Sequence, residues 1–309
     1  MIFITCRLTI AGDHHHFIKL FIKVLLWQIF KPTIMKKILF PTDFSKVSLN
    51  AFSYALRFAA KIDAEIVTLH VYELPPATAI ENYDFLLNTY KITELSEFEN
   101  YRSEVPKLRK IAKKVGMEHI QMCHVLQQGD AETEILKALK NEKPDYIIMG
   151  TKGASGIKEV FLGTLAERII NQSTVPVLAI PESAKYKGIQ KILFLAELEK
   201  LNIDKFSKIC LLADTFGASI EVLQVKPFKE DNEVTVLAQW KERFKNKVHF
   251  TIIHSNATED MIMDYIELYH IDVSATIVHH KDLWQRLFLF SLSRNLAYHT
   301  TIPLLAIPS

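Results

Sequence analysis

The sequence predicts an α/β protein built from two copies of a doubly wound, mainly parallel sheet. Three observations predict it. From Ile38 onward, apolar runs of strand length alternate with runs of helix length, the mark of βαβ units whose strands pair in parallel. Two segments recur: KILF at Lys37–Phe40 returns at Lys191–Phe194, and VPVLAIP at Val175–Pro181 returns as IPLLAIP at Ile302–Pro308. A chain of 309 residues, 49% of them hydrophobic, holds enough apolar material for two cores, each in a domain of about 150 residues.

Residues 1–34 stand apart. The run Phe17–Phe30, FIKLFIKVLLWQIF, is interrupted by Lys19 and Lys23 and falls short of the ~20 residues that a membrane-spanning helix needs. No A-x-A cleavage site follows it. Met35 is therefore expected to be the natural start, with residues 1–34 an upstream extension or an amphipathic helix. His14–His16 reads as a solvated polar turn rather than a metal-binding tract.

The first strand, Ile38–Phe40, ends at Pro41, and Asp43 and Ser45 are placed to cap a helix over about Val47–Ile62. A strand follows at Ala64–Tyr72. The next stretch, Leu74–Tyr101, has irregular periodicity and suits either a lid over the crevice or a plain surface insertion. A charged helix is expected around Glu97–Val115, a strand at Ile120–Leu126, and a helix at Glu132–Asn141 introduced by Gly129-Asp130. The strand Tyr146–Met149 then enters a loop in which Gly150, Gly153 and Gly163-Thr164 stand at the spacing G-x2-G-x9-G-[ST]. Leu165, Ile169 and Ile170 mark the helix after it.

That spacing has a chemical reading. Glycine permits φ > 0 and lets main-chain N–H groups meet an anion with no Cβ in the way, and a helix N-terminus adds partial positive charge. A phosphate chain is the natural guest. The loop is neither a Walker loop nor the dinucleotide fingerprint, since it has no GK[ST] and no G-x-G-x-x-G. Ligands of doubly wound sheets bind beyond the carboxyl ends of the strands, where Asp43, Val71 and Gly150 all lie.

The recurrence offers an internal comparison. The first strands are offset by 154 positions (Lys37 to Lys191) and the last by 127 (Val175 to Ile302), so the second copy is shorter by the difference. His70-Val71 still matches Gln224-Val225, whereas Ile135 and Asp145 match Ile262 and Asp272, so the whole loss is expected between the second and third strands. In these registers Asp43 becomes Glu197, Gly150 becomes Ile277, Gly153 becomes His280, Gly163 becomes Phe290 and Thr164 becomes Ser291. Folding therefore does not demand the glycines, and the second crevice is expected to be empty.

Composition excludes several classes. With 37 basic and 35 acidic residues the net charge is only +2, which offers no footprint for nucleic acid or an anionic membrane. Cys6, Cys123 and Cys210 are far apart, so neither a disulfide framework nor a zinc site is expected and a cytoplasmic setting fits. His279-His280 and His299 lack acidic or Cys partners at metal spacing. His70 reads as a packed core histidine.

PTDFS, LHV, QGD, the glycine spacing and VPVLAIP occur in one order, and with the second copy the match covers Lys36–Pro308. In this the chain resembles a tandem-type universal stress protein of the UspA superfamily. The resemblance implies a five-stranded, Rossmann-like sheet of the adenine nucleotide alpha hydrolase type in each repeat, spanning 35–184 and 188–309. It also implies an adenine nucleotide, usually ATP, here considered with Mg²⁺. Asp43 would stand at the ribose or adenine and the Val71 main chain at the adenine edge. Gly150, Gly153, Gly163 and Thr164 would hold the phosphates, with Lys152 adding charge and Pro41, Met149 and Leu165 completing the set. The family pairs subunits through the final strand, so VPVLAIP and IPLLAIP are expected to pair within the chain as a pseudo-dimer, with homodimerisation beyond it left open. The implied function is a stress-response protein that binds nucleotide in its first repeat, with no catalytic residue or metal site assigned. The alternatives are a slow ATP hydrolase or phosphotransferase using Asp43, Asp130 or Thr164, and a nucleotide-free interaction scaffold.

Overall fold

A computed structural model describes residues 35–74, 83–151, 163–196, 203–226, 240, 242, 244, 248–278 and 302–308. Residues 36–309 form one compact unit. Its centre is strand β1 (Lys36–Pro41), in which Ile38, Leu39 and Phe40 are fully buried. A strand apolar on both faces needs a neighbour on each side and helices above and below it. The neighbours are β2 (Ala64–Tyr72) and β4 (Tyr146–Gly150), both parallel.

Helix α1 (Lys46–Ile62) follows β1. Its N-cap is Ser45, whose hydroxyl accepts from the Ser48 N–H, and it ends at left-handed Asp63. Asp43 does not share the capping: its Oδ1 accepts from the Ser45 N–H at 3.0 Å and shapes the turn before the cap. Ala51, Phe52, Ala55, Leu56 and Ala59 are buried, a spacing that fills one helical face.

Helix α2 (Tyr83–Lys114) is a single helix of 32 residues running through Pro106. This corrects both expectations for that region, since the helix begins well before Glu97 and most of the irregular stretch belongs to it. The periodicity misleads because α2 has apolar residues on two faces. Tyr101, Leu108 and Ala112 are buried, whereas Phe85, Ile92, Leu95 and Phe98 are exposed. Residues 75–82 of the proposed lid lie outside the described residues.

Strand β3 (Met122–Gln128) follows, beginning slightly later than expected, then α3 (Ala131–Glu142), α4 (Thr164–Gln172) and β5 (Val177–Ile180). The remaining elements are β6 (Lys191–Leu195), α5 (Ile203–Phe216), β7 (Ser219–Lys226), β8 (Val248–His254), α6 (Thr258–Leu268), β9 (Val273–Val278) and β10 (Leu304–Pro308).

The ten strands among the described residues form one sheet in the order β3-β2-β1-β4-β5-β10-β9-β6-β7-β8. Every pairing is parallel except β5 with β10, which run antiparallel with Ala179 opposite Leu304 and Val177 opposite Ala306. Ile38 opposes Ile66 and Ile192 opposes Ile220, a constant offset of 154; Ile147 opposes Val177 and Ser274 opposes Leu304, an offset of 127. The third strands differ slightly from expectation. Ile66 opposes Met122 and Ile220 opposes Val248, an offset between the halves of 126 rather than 127. The second half has therefore lost one position too many before its third strand and regains it before its fourth, a correction to a loss confined to one place.

Side chains alternate along each strand, so β1 sends Ile38 and Phe40 to one core and Leu39 to another. The first core also takes Phe194 and Phe206 from the second half, and Phe58 of α1 meets Phe216 of α5 at 5.1 Å between ring centroids. One apolar layer thus continues across both halves. The chain between the halves is tied to α1, where the Asn50 amide donates to the Ala184 carbonyl at 2.9 Å and Arg57 lies over the Tyr186 ring.

Candidate functional site

In the order β3-β2-β1-β4-β5 the winding reverses between β1 and β4, and such a switch point leaves a crevice at the carboxyl ends of the strands. Pro41 closes β1 there, opposite Leu69, and the Thr42 N–H continues the ladder to the Leu69 carbonyl at 2.9 Å. The buried Thr42 hydroxyl organises the turn that follows. It lies 2.7 Å from the Ser48 hydroxyl and accepts from the Phe44 N–H at 3.1 Å. Asp43 is exposed at this turn.

Phe44 has φ 57, a left-handed conformation that costs a residue with a Cβ about 1–2 kcal/mol. That conformation sets its ring 5.0 Å from the His70 ring and 5.9 Å from Tyr101, while Tyr101 stacks on His70 at 6.0 Å and 10°. His70 is half-buried, and its Nδ1 lies 2.7 Å from the Thr42 carbonyl. A carbonyl only accepts, so Nδ1 carries the proton. The histidine is therefore not simply packed in the core; it ties the end of β2 to the β1 turn. Phe44, Thr42 and Tyr101 are site neighbours that sequence reasoning missed.

Tyr101 brings α2 to this edge of the sheet. Its hydroxyl is buried, and burial pushes its pKa up to about 12. Nearby on β3, His124 Nδ1 meets the Thr68 hydroxyl at 2.7 Å while its Nε2 is buried without a partner among the described residues. Burial, and then the Arg109 guanidinium, hold the His124 pKa below its ordinary 6.5. The folded chain therefore resists a proton that the unfolded chain accepts, so stability falls as the pH drops through 6.5 toward the folded pKa. Urea midpoints measured from about pH 7.5 to 5 should fall further for the unaltered chain than for His124→Gln. Parallel curves would show that His124 takes no part.

Gly150 ends β4 opposite Ile180, and the Thr151 N–H donates to the Ile180 carbonyl at 3.0 Å. The Gly163 N–H donates to the Thr151 carbonyl at 2.5 Å, closing the base of the glycine loop. Gly163 then serves as N-cap of α4 with φ −66 and ψ 154. This is ordinary extended backbone, so the freedom to reach positive φ is not why glycine stands at 163. Helices α1 and α3 have N-caps that bond through their side chains, from Ser45 and Asp130, whereas α4 has no side-chain cap. Its first-turn N–H groups are left for other partners. A glycine whose φ does matter is Gly129, at φ 144, where an added Cβ would also lie 2.8 Å from Glu134 Oε1.

Pro41, Asp43, Val71, Gly150, Gly163 and Thr164 thus lie at the carboxyl edge of neighbouring strands or at the start of α4. Val71 is half-buried in register with Gln127, Thr164 is exposed, and Leu165 packs half-buried against the core. Met149 is buried within that core, leaving only its main chain to face a ligand. Lys152 and Gly153 lie outside the described residues, as do Glu197, His279, His280, Phe290, Ser291, His299 and the histidines at 14–16. Ile277 is buried in β9 opposite Ile307. Among the described residues no group of three or more His, Cys, Asp and Glu could hold a metal ion, and no helix is long and apolar enough to cross a membrane.

Comparison with known proteins adds the family. The model of the universal stress protein family matches residues 35–181. Universal stress protein MJ0531 of Methanocaldococcus jannaschii is 32% identical over 153 residues, which cover 49% of this chain and 85% of that protein. Universal stress protein MJ0577 of the same organism is 30% identical over 155 residues, covering 47% of this chain and 94% of that protein. The crystal structure of a universal stress protein from Archaeoglobus fulgidus shares the fold over 88% of this chain and 98% of its own, with a TM-score of 0.64 and 20% identity. Identity of 32% and 30% over 85% and 94% of these two relatives establishes that this chain belongs to the universal stress protein family.

Proposed function

We propose that the first half binds an adenine nucleotide, ATP with Mg²⁺, in the crevice at the β1–β4 switch point, and that the protein acts by binding rather than by catalysis. The observation that carries this reading is the hydrogen bond from the Gly163 N–H to the Thr151 carbonyl, which brings the two ends of the glycine-spaced stretch together at a helix with no side-chain cap. A phosphate chain satisfies such N–H groups and the helix dipole together. Asp43, Val71, Pro41 and Met149 would hold the nucleoside; Gly150, Lys152, Gly153, Gly163, Thr164 and Leu165 would face the phosphates. In the second half Ile277, His280 and Phe290 stand at the glycine positions, so that half supplies the partner surface of a pseudo-dimer along β5 and β10. The proposed role is a cytoplasmic stress response, a reading that membership of the family supports. Slow hydrolysis or phosphoryl transfer remains the alternative, but such chemistry needs metal ligands and a residue that orients the nucleophile.

Isothermal titration of ATP and Mg²⁺ into the full chain tests the proposal. Binding near one equivalent is expected, with at least a tenfold loss in affinity, about 1.4 kcal/mol, in Gly150→Ile, Gly153→His, Gly163→Phe. No binding by the unaltered chain would leave the interaction scaffold. Turnover of bound ATP that disappears in the triple variant would select the enzyme.

A further inference from the structure

Helix α2 leads from the end of β2 to the start of β3, and these strands are parallel, so it runs back along the sheet from the carboxyl edge. From Phe85 to Asn100 none of its residues is buried, whereas Tyr101 is 9% exposed and Leu108 and Ala112 follow it into the core. Tyr101 lies at the carboxyl edge, against His70 near the end of β2. Leu108 and Ala112 lie about 10 and about 16 Å farther along the helix at 1.5 Å per residue. The first side chain that α2 buries is thus the one beside the candidate site.

Three rings close on the turn at residues 42–45. Phe44 needs their support, because its φ of 57 is a conformation that a residue with a Cβ adopts only at a cost. Its N–H donates to the Thr42 hydroxyl at 3.1 Å, and its ring lies 5.0 Å from His70 and 5.9 Å from Tyr101. His70 is itself held on two sides. Its Nδ1–H donates to the Thr42 carbonyl at 2.7 Å, and the Tyr101 ring stacks on it with 10° between the planes, within the range of separations that favours aromatic pairs. Asp43 is tied across Phe44 by the bond from the Ser45 N–H to its Oδ1 at 3.0 Å. The backbone of Phe44 therefore decides where the Asp43 carboxylate stands.

The fold does not demand this stack. At the offset of 154 that relates β1 and β2 to β6 and β7, Leu198 stands at the position of Phe44 and Gln224 at that of His70. The half that lacks the glycines lacks these two rings as well. We propose that Tyr101 is a positioning residue for the nucleotide site: through His70 and Phe44, α2 holds the turn that presents Asp43 and so sets the affinity of the nucleoside end. The proposal rests on the nucleotide reading of the crevice, and Tyr101 acts in it through Phe44 rather than on the ligand.

Titration of ATP and Mg²⁺, and amide hydrogen exchange of residues 42–45 without ligand, both on the full chain, test this. Tyr101→Leu should weaken ATP binding about fivefold or more and speed exchange of the turn about tenfold. Tyr101→Phe keeps the ring and should stay within about twofold of the unaltered chain in both measurements. Leu108→Ala opens a cavity at a fully buried position of the same helix and should lower the urea midpoint. It should change neither affinity nor exchange of the turn, which opens locally rather than by global unfolding. Phe44→Gly separates the routes, because glycine takes up φ 57 without strain. In that background Tyr101→Leu should cost less than about twofold in affinity, since residues that act as one unit do not add. Full additivity of the two substitutions, or a Tyr101→Leu chain that behaves like Leu108→Ala, would overturn the proposal. Absence of ATP binding by the unaltered chain would overturn the nucleotide reading and the affinity role together. Exchange of the turn tells the two failures apart: faster in Tyr101→Leu, it keeps the positioning of the turn; unchanged, it overturns that too.

Discussion

Ala179→Asp should destabilise the folded chain by at least ~3 kcal/mol, the lower end of the cost of an unpartnered buried charge, and leave little folded protein in dilute buffer. Ala179 has no exposed surface and lies in β5 between Met149 of β4 and Leu304 of β10. The apolar cluster it belongs to, with Leu39, Ile147 and Ala306 among its members, offers a carboxylate nothing to bond with. The group must either stay charged in an apolar core or take up a proton, and both options cost stability. Against a total of about 5–15 kcal/mol for a typical domain, the loss is a large fraction. The urea midpoint measures it, with Ala179→Ser as the milder comparison because a hydroxyl can bond to a main-chain carbonyl. An aspartate variant within ~0.5 kcal/mol of the unaltered chain, the range typical of surface positions, would mean that the β5–β10 seam is open to water.

Phe206→Ala should cost ~3–5 kcal/mol, as removing a phenyl ring from a packed core commonly does. Phe206 is fully buried on α5, with Phe194 at 5.1 Å, Trp240 at 5.6 Å and Phe244 at 5.0 Å between ring centroids. These rings meet edge to face or tilted, so the cavity would open among side chains that depend on one another for position. Both the urea midpoint and the tryptophan emission should report the change, because Trp240 loses one of the two rings it packs against and keeps Phe244. Phe206→Leu keeps much of the volume and should cost less than half as much. Equal losses in the two variants would show that ring geometry rather than volume holds this corner.

Where one element has one environment, the sequence was transparent. Ala64–Tyr72 reads as a strand and is one, because a central parallel strand is buried on both faces and most of its length is apolar. The β1–α1 turn was half legible: Ser45 is the cap, but nothing local distinguishes Asp43 as a former of the preceding turn. Helix α2 was obscured because its apolar residues serve two faces, one against the protein and one outward, and a single-stripe pattern cannot describe both. The glycine spacing marked the candidate site without its walls. Phe44 reaches His70 only through a left-handed backbone, and Tyr101 reaches it only because α2 comes to the edge of the sheet at β2; neither follows from neighbouring residues.

The one antiparallel pairing among the described strands turns one half of the sheet against the other. Strands within each half are parallel, so reversing direction between β5 and β10 turns the carboxyl ends of β6, β7, β8 and β9 toward the opposite edge from those of β1, β2, β3 and β4. The two crevices open at opposite poles, at least ~16 Å apart for a five-residue strand at about 3.3 Å per residue. Each pole could therefore change its chemistry without disturbing its twin, which is how one chain can keep a glycine loop at one end while bulky side chains occupy the matching positions at the other.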